Sequence, residues 1–141
     1  MNNTVLNGIN KNNIILGADF FTSQKRNLFK NIFDVKSQNT IILVNLDRAT
    51  ANESRELAEY IEKTIDEGKS QIIIDLENVY FMDSVFFGTL IKYLKKVSKI
   101  NGYIKLIVDF KSKPELLSLS TFEGIFKIYP NLFDALNSKI S

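Results

Sequence analysis

The stretch Gln71-Ile72-Ile73-Ile74-Asp75-Leu76-Glu77-Asn78-Val79-Tyr80-Phe81-Met82-Asp83-Ser84-Val85-Phe86-Phe87-Gly88 decides the fold. Its opening run, Gln71 to Leu76, shows no apolar–polar alternation, so it reads as a strand covered on both faces, as strands are in a sheet flanked by helices. The turn-like segment Tyr80 to Ser84 leads into a helix expected to run from about Ser84 to Ile100. Phe87, Leu90, Ile91, Leu94 and Val97 or Ser98 recur there at helical intervals as a buried stripe, with Lys92, Lys95, Lys96 and Lys99 on the opposite side. Strand, loop and helix start in succession deliver an acid, a hydroxyl and several backbone N–H groups to one point. Such a helix N-terminus suits an anion or a partner's contact.

Outward from this centre the chain reads as alternating strands and helices. Upstream, Asn31–Val35 and Thr40–Leu46 form a hairpin around the polar turn Lys36 to Asn39. Thr50 and Glu53 stand in capping-box spacing before a helix whose buried stripe is Leu57, Ala58, Ile61 and Ile65 and which Gly68 ends. Downstream, Asn101-Gly102 closes the central helix and Tyr103 to Val108 gives another strand. Ser112-Lys113-Pro114-Glu115 reads as a second capping box opening a short helix through Leu119. Phe126 to Tyr129 adds a short strand, and Asn131 caps a terminal helix carrying Leu132, Phe133, Ala135, Leu136 and Ile140. The expected class is α/β, a mixed sheet of four to five strands with about four helices packed against it.

Residues 1–27 differ from the rest. They are rich in Asn, a turn-favouring residue, and carry apolar weight only in Asn13-Ile14-Ile15-Leu16-Gly17 and Ala18-Asp19-Phe20-Phe21. The expectation is an N-terminal extension, a partly ordered arm that packs Ile14, Ile15, Phe20 and Phe21 on a single domain formed by residues 28–141. A dimerisation or docking arm is the alternative.

Composition narrows the function. The 141 residues, 45% of them apolar, suffice for one core, and no apolar run approaches the roughly 18 residues a membrane span needs. The opening Met1-Asn2-Asn3-Thr4 has no signal-peptide pattern, so a soluble, cytoplasmic protein is expected. The chain contains no cysteine and no histidine, which removes thiolate nucleophiles, imidazole bases and nearly every ordinary zinc or copper site. No cofactor and no metal are expected. A net charge of +2 from 18 basic and 16 acidic residues is too balanced for a nucleic-acid-binding field. The acids Asp75, Glu77, Glu53 and Glu56 show no arrangement suggesting acid–base work, and glycines are too sparse for a phosphate-cradling loop. The lysine stripe reads foremost as a solvated helix face, with an acidic partner as its functional alternative. Composition points to a binding or regulatory module rather than an enzyme.

Asp75 to Ser84, followed by a glycine-containing helix and Asn101-Gly102 before the next strand, resembles the STAS domain of bacterial anti-sigma factor antagonists. Leu46-Asp47-Arg48-Ala49-Thr50-Ala51 is similar to that family's Asp-containing turn, and Phe126 to Leu136 to its closing segment, so the likeness covers about residues 28–137. It implies a non-enzymatic regulator of transcription that binds an anti-sigma factor, itself a serine kinase of the histidine-kinase-like ATPase type, and is switched off by phosphorylation at the start of the helix after the Asp-Ser pair. It also implies a partner surface of Asp47 with Met82, Asp83, Ser84, Val85, Phe86 and Phe87.

The family's Asp-Ser-(Ser or Thr)-Gly-Leu-Gly motif falls on Asp83, Ser84, Val85, Phe86, Phe87 and Gly88, which places the phospho-acceptor position on Val85. Valine is nearly isosteric with threonine but has no hydroxyl. Ser84 is a weak substitute acceptor, since it matches the preceding serine. Phe86, where the family has its first glycine, adds an apolar side chain expected near the same surface. In a plainer reading Asp83 or Ser84 only caps the helix, and Asp47 only supplies charge near the preceding helix start. The other class of reading is a sensor binding a small molecule, or an accessory subunit of a lipid-transport ATPase.

Overall fold

The computed structural model describes residues 28–122 and 124–138, so the expected N-terminal arm and Ile140 lie outside the described residues. Strand β1 (Phe29–Asp34) and strand β2 (Asn39–Val44) form an antiparallel hairpin, with Phe33 opposite Thr40 and Phe29 opposite Val44. Its turn is closed by the Gln38 N–H donating to the Asp34 carbonyl at 2.8 Å, with Gln38 at φ 62°. Further strands follow at Arg48–Ala49 (β3), Gln71–Asp75 (β4), Phe81–Met82 (β5), Tyr103–Ile107 (β6) and Lys127–Tyr129 (β7). The helices are α1 (Ala51–Asp66), α2 (Ser84–Ser98), a 3₁₀ segment at Pro114–Phe122, and α3 (Leu132–Asn137).

The main sheet runs β1-β2-β4-β6-β7, antiparallel at the first pair and parallel at the others. β4, expected to be covered on both faces, is the middle strand, and Ile72, Ile73 and Ile74 are all buried. The pleat sends alternate residues to opposite faces. Ile72 and Ile74 join Ile42, Val44, Ile104 and Leu106 in the core under α1 and α2, while Ile73 joins Ile41, Ile107 and Ala135 on the face that α3 occupies. Lys105 points to that second face and is only 2% exposed. Its Nζ donates to the carbonyls of Ala135 (2.6 Å) and Ser138 (3.2 Å), so the ammonium satisfies oxygens at the C-terminus of α3. Burial pushes its pKa down.

The expected caps explain where helices begin and end. Thr50 and Glu53 form the capping box of α1, the Thr50 N–H donating to Glu53 Oε1 at 3.0 Å. Past the end of α1, Gly68 takes φ 82°; its N–H donates to the Ile65 carbonyl and the Lys69 N–H to that of Thr64, a Schellman closure. The same pattern closes α2, where Asn101 takes φ 64° and the Gly102 N–H donates to the Val97 carbonyl at 2.7 Å. A Cβ on Gly102 would meet the Ser70 carbonyl oxygen at 2.2 Å, so this turn also needs glycine for space.

Three expectations change. The fully buried stripe of α2 is Phe86, Leu90, Tyr93 and Val97, with Phe87, Ile91 and Leu94 only half-buried. Both series fit a helical period, and Asp83 sets the choice by capping the helix so that Phe86 turns inward. Phe86, expected near the surface, is 0% exposed in the principal core. The Ser112–Glu115 capping box does not form, because the Ser112 hydroxyl donates to Asp109 Oδ2 at 2.9 Å and the following segment winds as a 3₁₀ helix. The short pair β3–β5 was not anticipated, since two-residue strands leave no periodicity to read.

Phe86 and Val85 are neighbours in sequence but not in energetics. Phe86→Ala should destabilise by about 3–5 kcal/mol through the cavity it leaves, whereas Val85→Ala should stay within about 0.5 kcal/mol. Urea unfolding of the two variants measures this, and similar losses would show that Phe86 is not the core anchor.

Candidate partner-binding site

Two loops at the carboxyl ends of β2 and β4 carry the residues singled out by sequence. Backbone bonds clip them together. The N–H groups of Tyr80 and Phe81 donate to the Asp47 carbonyl at 2.8 and 3.1 Å, Arg48 pairs with Phe81 and Ala49 with Met82, and the Asp83 N–H donates to the Ala49 carbonyl at 3.0 Å. Each loop thereby supplies the other with partners for groups that a lone loop would leave to water.

Asp83 completes the junction with its side chain. Oδ1 accepts from the Phe86 N–H at 2.9 Å, the N-cap bond of α2, and Oδ2 accepts from the Ala51 N–H at 2.8 Å, at the first residue of α1. One carboxylate therefore ties the starts of both helices, where two macrodipoles favour negative charge. The Phe86 N–H, and then those of Ala51 and Val85, hold the Asp83 carboxyl below its ordinary value against the opposing effect of desolvation. This uses the anion-favouring position that the sequence left open for a ligand or partner.

Around this junction the surface is apolar with stacked cations. Tyr80, Phe81 and Val85 are exposed, Val85 at 51%. The Arg48 guanidinium lies 4.2 Å from the Phe81 ring centroid and the Lys113 Nζ 4.4 Å from that of Tyr80. Beside them an open cleft is lined by Arg48, Thr50, Ala51, Asn52, Glu53 and Asp83. The acids nearby sit at the ends of β4 and β6. Burial raises the pKa values of Asp75 and Glu77, with Asp75 and Asp109 adding to the effect on Glu77 and Lys113 opposing it. Among the described residues no three acidic side chains are arranged to hold a metal ion.

Of the residues predicted for the site, the structure brings Asp47, Met82, Asp83, Ser84 and Val85 together; Asp47, Ser84 and Val85 are exposed, and Met82 and Asp83 half-buried. Phe86 and Phe87 are not presented with them. Phe86 is core, and Phe87 packs on Phe122 and Phe126 with ring centroids 4.6 and 5.9 Å away. Tyr80, Phe81 and Lys113 lie beside these residues but outside the predicted site, and Arg48 entered it only as a neighbour of Asp47. Their signal was exposed aromatics beside cations, legible only once β3 and β5 pair. The lysine stripe lies along α2, and Lys96 is engaged there, donating to both Glu62 oxygens at 2.8 and 2.9 Å while the Tyr93 hydroxyl donates to Oε2. The Tyr93 phenol is pushed up to about 12, by burial first and by Glu62 second.

The family model described as STAS domain matches residues 33–135. A candidate anti-sigma factor antagonist of Thermotoga neapolitana is 28% identical over 75 residues, which is 53% of this chain and 66% of that protein. The match thus spans just under two thirds of that relative's length. Among solved structures, a candidate anti-sigma factor antagonist of Thermotoga maritima superposes with a TM-score of 0.63 at 19% identity, over 78% of this chain and 92% of that one. The unphosphorylated anti-sigma factor antagonist SpoIIAA gives 0.59 at 17% identity, over 76% and 92%. At these identities the structural likeness concerns the fold. No described helix is long and apolar enough to cross a membrane.

The Asp83 junction makes a pH-dependent contribution. Because its folded pKa is depressed, the stabilisation is fully present above the unfolded carboxylate value of about 3.9 and is lost as pH falls through the lower folded value. Asp83→Asn should therefore be less stable than the parent at pH 7, with the gap closing in strong acid. Chemical denaturation across this range tests it; a gap that is constant with pH would mean the charge is not involved.

Proposed function

The chain belongs to the STAS domain family, and from that premise we propose that it is a non-enzymatic regulatory module of the anti-sigma factor antagonist kind. Its proposed partner is an anti-sigma factor that is also a serine kinase of the histidine-kinase-like ATPase type. The docking surface in this reading is Asp47 with Met82 to Val85, enlarged by Arg48, Tyr80 and Phe81. Phe86 and Phe87 support it from beneath. The reading places the protein in the cytoplasm, with neither membrane insertion nor nucleic-acid binding.

The observation that carries this proposal is the rigid presentation of exposed Tyr80, Phe81 and Val85 on a junction whose own polar groups are already satisfied. Pre-ordering lowers the conformational cost of docking, and aromatic side chains give large contact area. The partner gains contact by covering this ridge rather than by filling empty donors.

Regulation differs in this proposal from the family's usual switch. Val85 occupies the acceptor position and offers no oxygen for a phosphoryl group. Ser84 is exposed and carries a hydroxyl, but a phosphate there would add about −1.5 to −2 charges next to the Asp83 carboxylate, which already accepts the N–H groups that would have held it. The surface in this reading stays binding-competent in the presence of kinase and ATP.

Two measurements test the proposal. Phe81→Ala should weaken binding to the cognate ATPase by about tenfold or more, with the melting temperature little changed. After incubation with that kinase and ATP, mass spectrometry should find no phosphate on residues 82–87. Undiminished affinity in the first experiment would remove the docking surface, and stoichiometric phosphorylation in the second would remove the constitutive reading.

A further inference from the structure

β1 is an edge strand: among the described residues it pairs with β2 on one side and with no strand on the other. The hairpin fixes which of its backbone groups face each way. The Asn45 N–H donates to the Leu28 carbonyl at 2.8 Å, and bonding direction alternates along an antiparallel strand, so the N–H and C=O groups of Lys30 and Ile32 also turn toward β2. Those of Phe29, Asn31 and Phe33 point outward, a row open to another strand. Side chains alternate as well. Phe29 enters the core under α1 and α2, and Ile32 lies opposite Ile41 on the α3 side, which sets Lys30, Ile32 and Asp34 together on that second face. Lys30 and Ile32 are exposed, Ile32 at 41%, and Asp34 is half-buried.

We propose that β1 pairs antiparallel with β1 of a second copy of this chain, joining two five-stranded sheets into one across a two-fold axis at Ile32. Charge and hydrogen bonding together select this occupant and this register. Outward-facing residues must meet one another, which allows two-fold registers centred on Asn31, Ile32 or Phe33. Centring on Asn31 sets Ile32 against Lys30 of the second copy, and centring on Phe33 sets it against Asp34, so both place an isoleucine opposite a charge. Centring on Ile32 sets isoleucine against isoleucine and Lys30 against Asp34 twice, in non-hydrogen-bonded pairs, where facing side chains approach closest. A lysine on an edge strand by itself discourages an added strand. Here the aspartate four positions on makes the row self-complementary, the condition for an isologous interface. Asp34 is also held in place, its Oδ2 accepting from the Ser37 N–H and hydroxyl. The pairing uses none of the residues of the candidate partner-binding site.

Sedimentation velocity and cross-linking of the full chain test the proposal. The protein should pass from monomer to dimer over a concentration series up to about 1 mM. Ile32→Lys brings two cations together at the axis, and Lys30→Glu sets a glutamate against each Asp34; both variants should stay monomeric throughout. Lys36→Glu, the same charge change placed in the hairpin turn, should dimerise like the parent. All three positions are exposed, so melting temperatures in dilute solution should be unchanged. The chain has no cysteine, so Ile32→Cys reads the register directly. Facing Cα atoms about 4.5 Å apart are within disulfide reach, and mild oxidation should give a covalent dimer. Val35→Cys should not, because its two copies would lie about 20 Å apart along the strands. A monomer at every concentration would overturn the proposal, including the case in which another segment of the same chain covers the edge. Dimers that survive both Ile32→Lys and Lys30→Glu, or that cross-link equally through Val35→Cys, would overturn it too, because the copies would then meet elsewhere.

Discussion

The Asp83 carboxylate, shared between the first turns of α1 and α2, is the contact on which the site's geometry depends. Each helix begins with backbone N–H groups that no helical carbonyl can satisfy. α1 meets part of this demand locally with Thr50 and Glu53, but Ala51 takes its acceptor from a residue 32 positions away. α2 relies on the same carboxylate for its cap. The two helices consequently start in fixed relation, and the loops before them, paired through β3 and β5, inherit that relation. Phe81 and Val85 protrude where they do because these two loops cannot move independently.

The sheet beneath is organised by a different demand. The inner residues Ile72–Ile74 of β4 and Ile104–Ile107 of β6 are buried on both faces, so each side chain among them must be apolar or fully paired. Lys105 is the exception that meets the condition. Directly across from Ile73, it carries its ammonium to the end of α3, where the Ala135 and Ser138 carbonyls and the Ser138 hydroxyl receive it. The cost of desolvating a cation and the cost of burying a helix's last carbonyls are offset against each other in one place. This buried polar contact, on β6, is separate from the candidate site, which is built at the carboxyl ends of β2 and β4.

Elements with long-range periodicity or a cap were legible in the sequence: the order of the major strands and helices, the Thr50–Glu53 box, the Asn131 cap and the Gly68 and Asn101-Gly102 stops. The family resemblance extended this to the candidate site, because Asp47 and Asp83 fall in the two loops that the fold brings together. What escaped had no local signature. β3 and β5 are two residues each and exist only through each other, so Arg48 and Phe81 could not be joined by inspection. The Ser112 box failed because Asp109 offered a competing acceptor three residues upstream. The rotation of α2 was ambiguous for a related reason: Phe86 and Phe87 are equally apolar, and only the cap geometry decides which turns inward.

That rotation bears on what Val85 can do. With Phe86 inserted at 0% exposure and Asp83 fixed by two backbone donors, the intervening residues Ser84 and Val85 have no choice but to face outward. A threonine at position 85 would present its hydroxyl to solvent at the start of α2 without disturbing a core contact, so valine there is not required by packing. An exposed β-branched apolar residue at a helix start gains little for stability, since it neither caps the helix nor buries area. In the proposed function its effect falls on the docking surface: a valine adds exposed apolar area to that of Tyr80 and Phe81, and it offers no side-chain oxygen at that position.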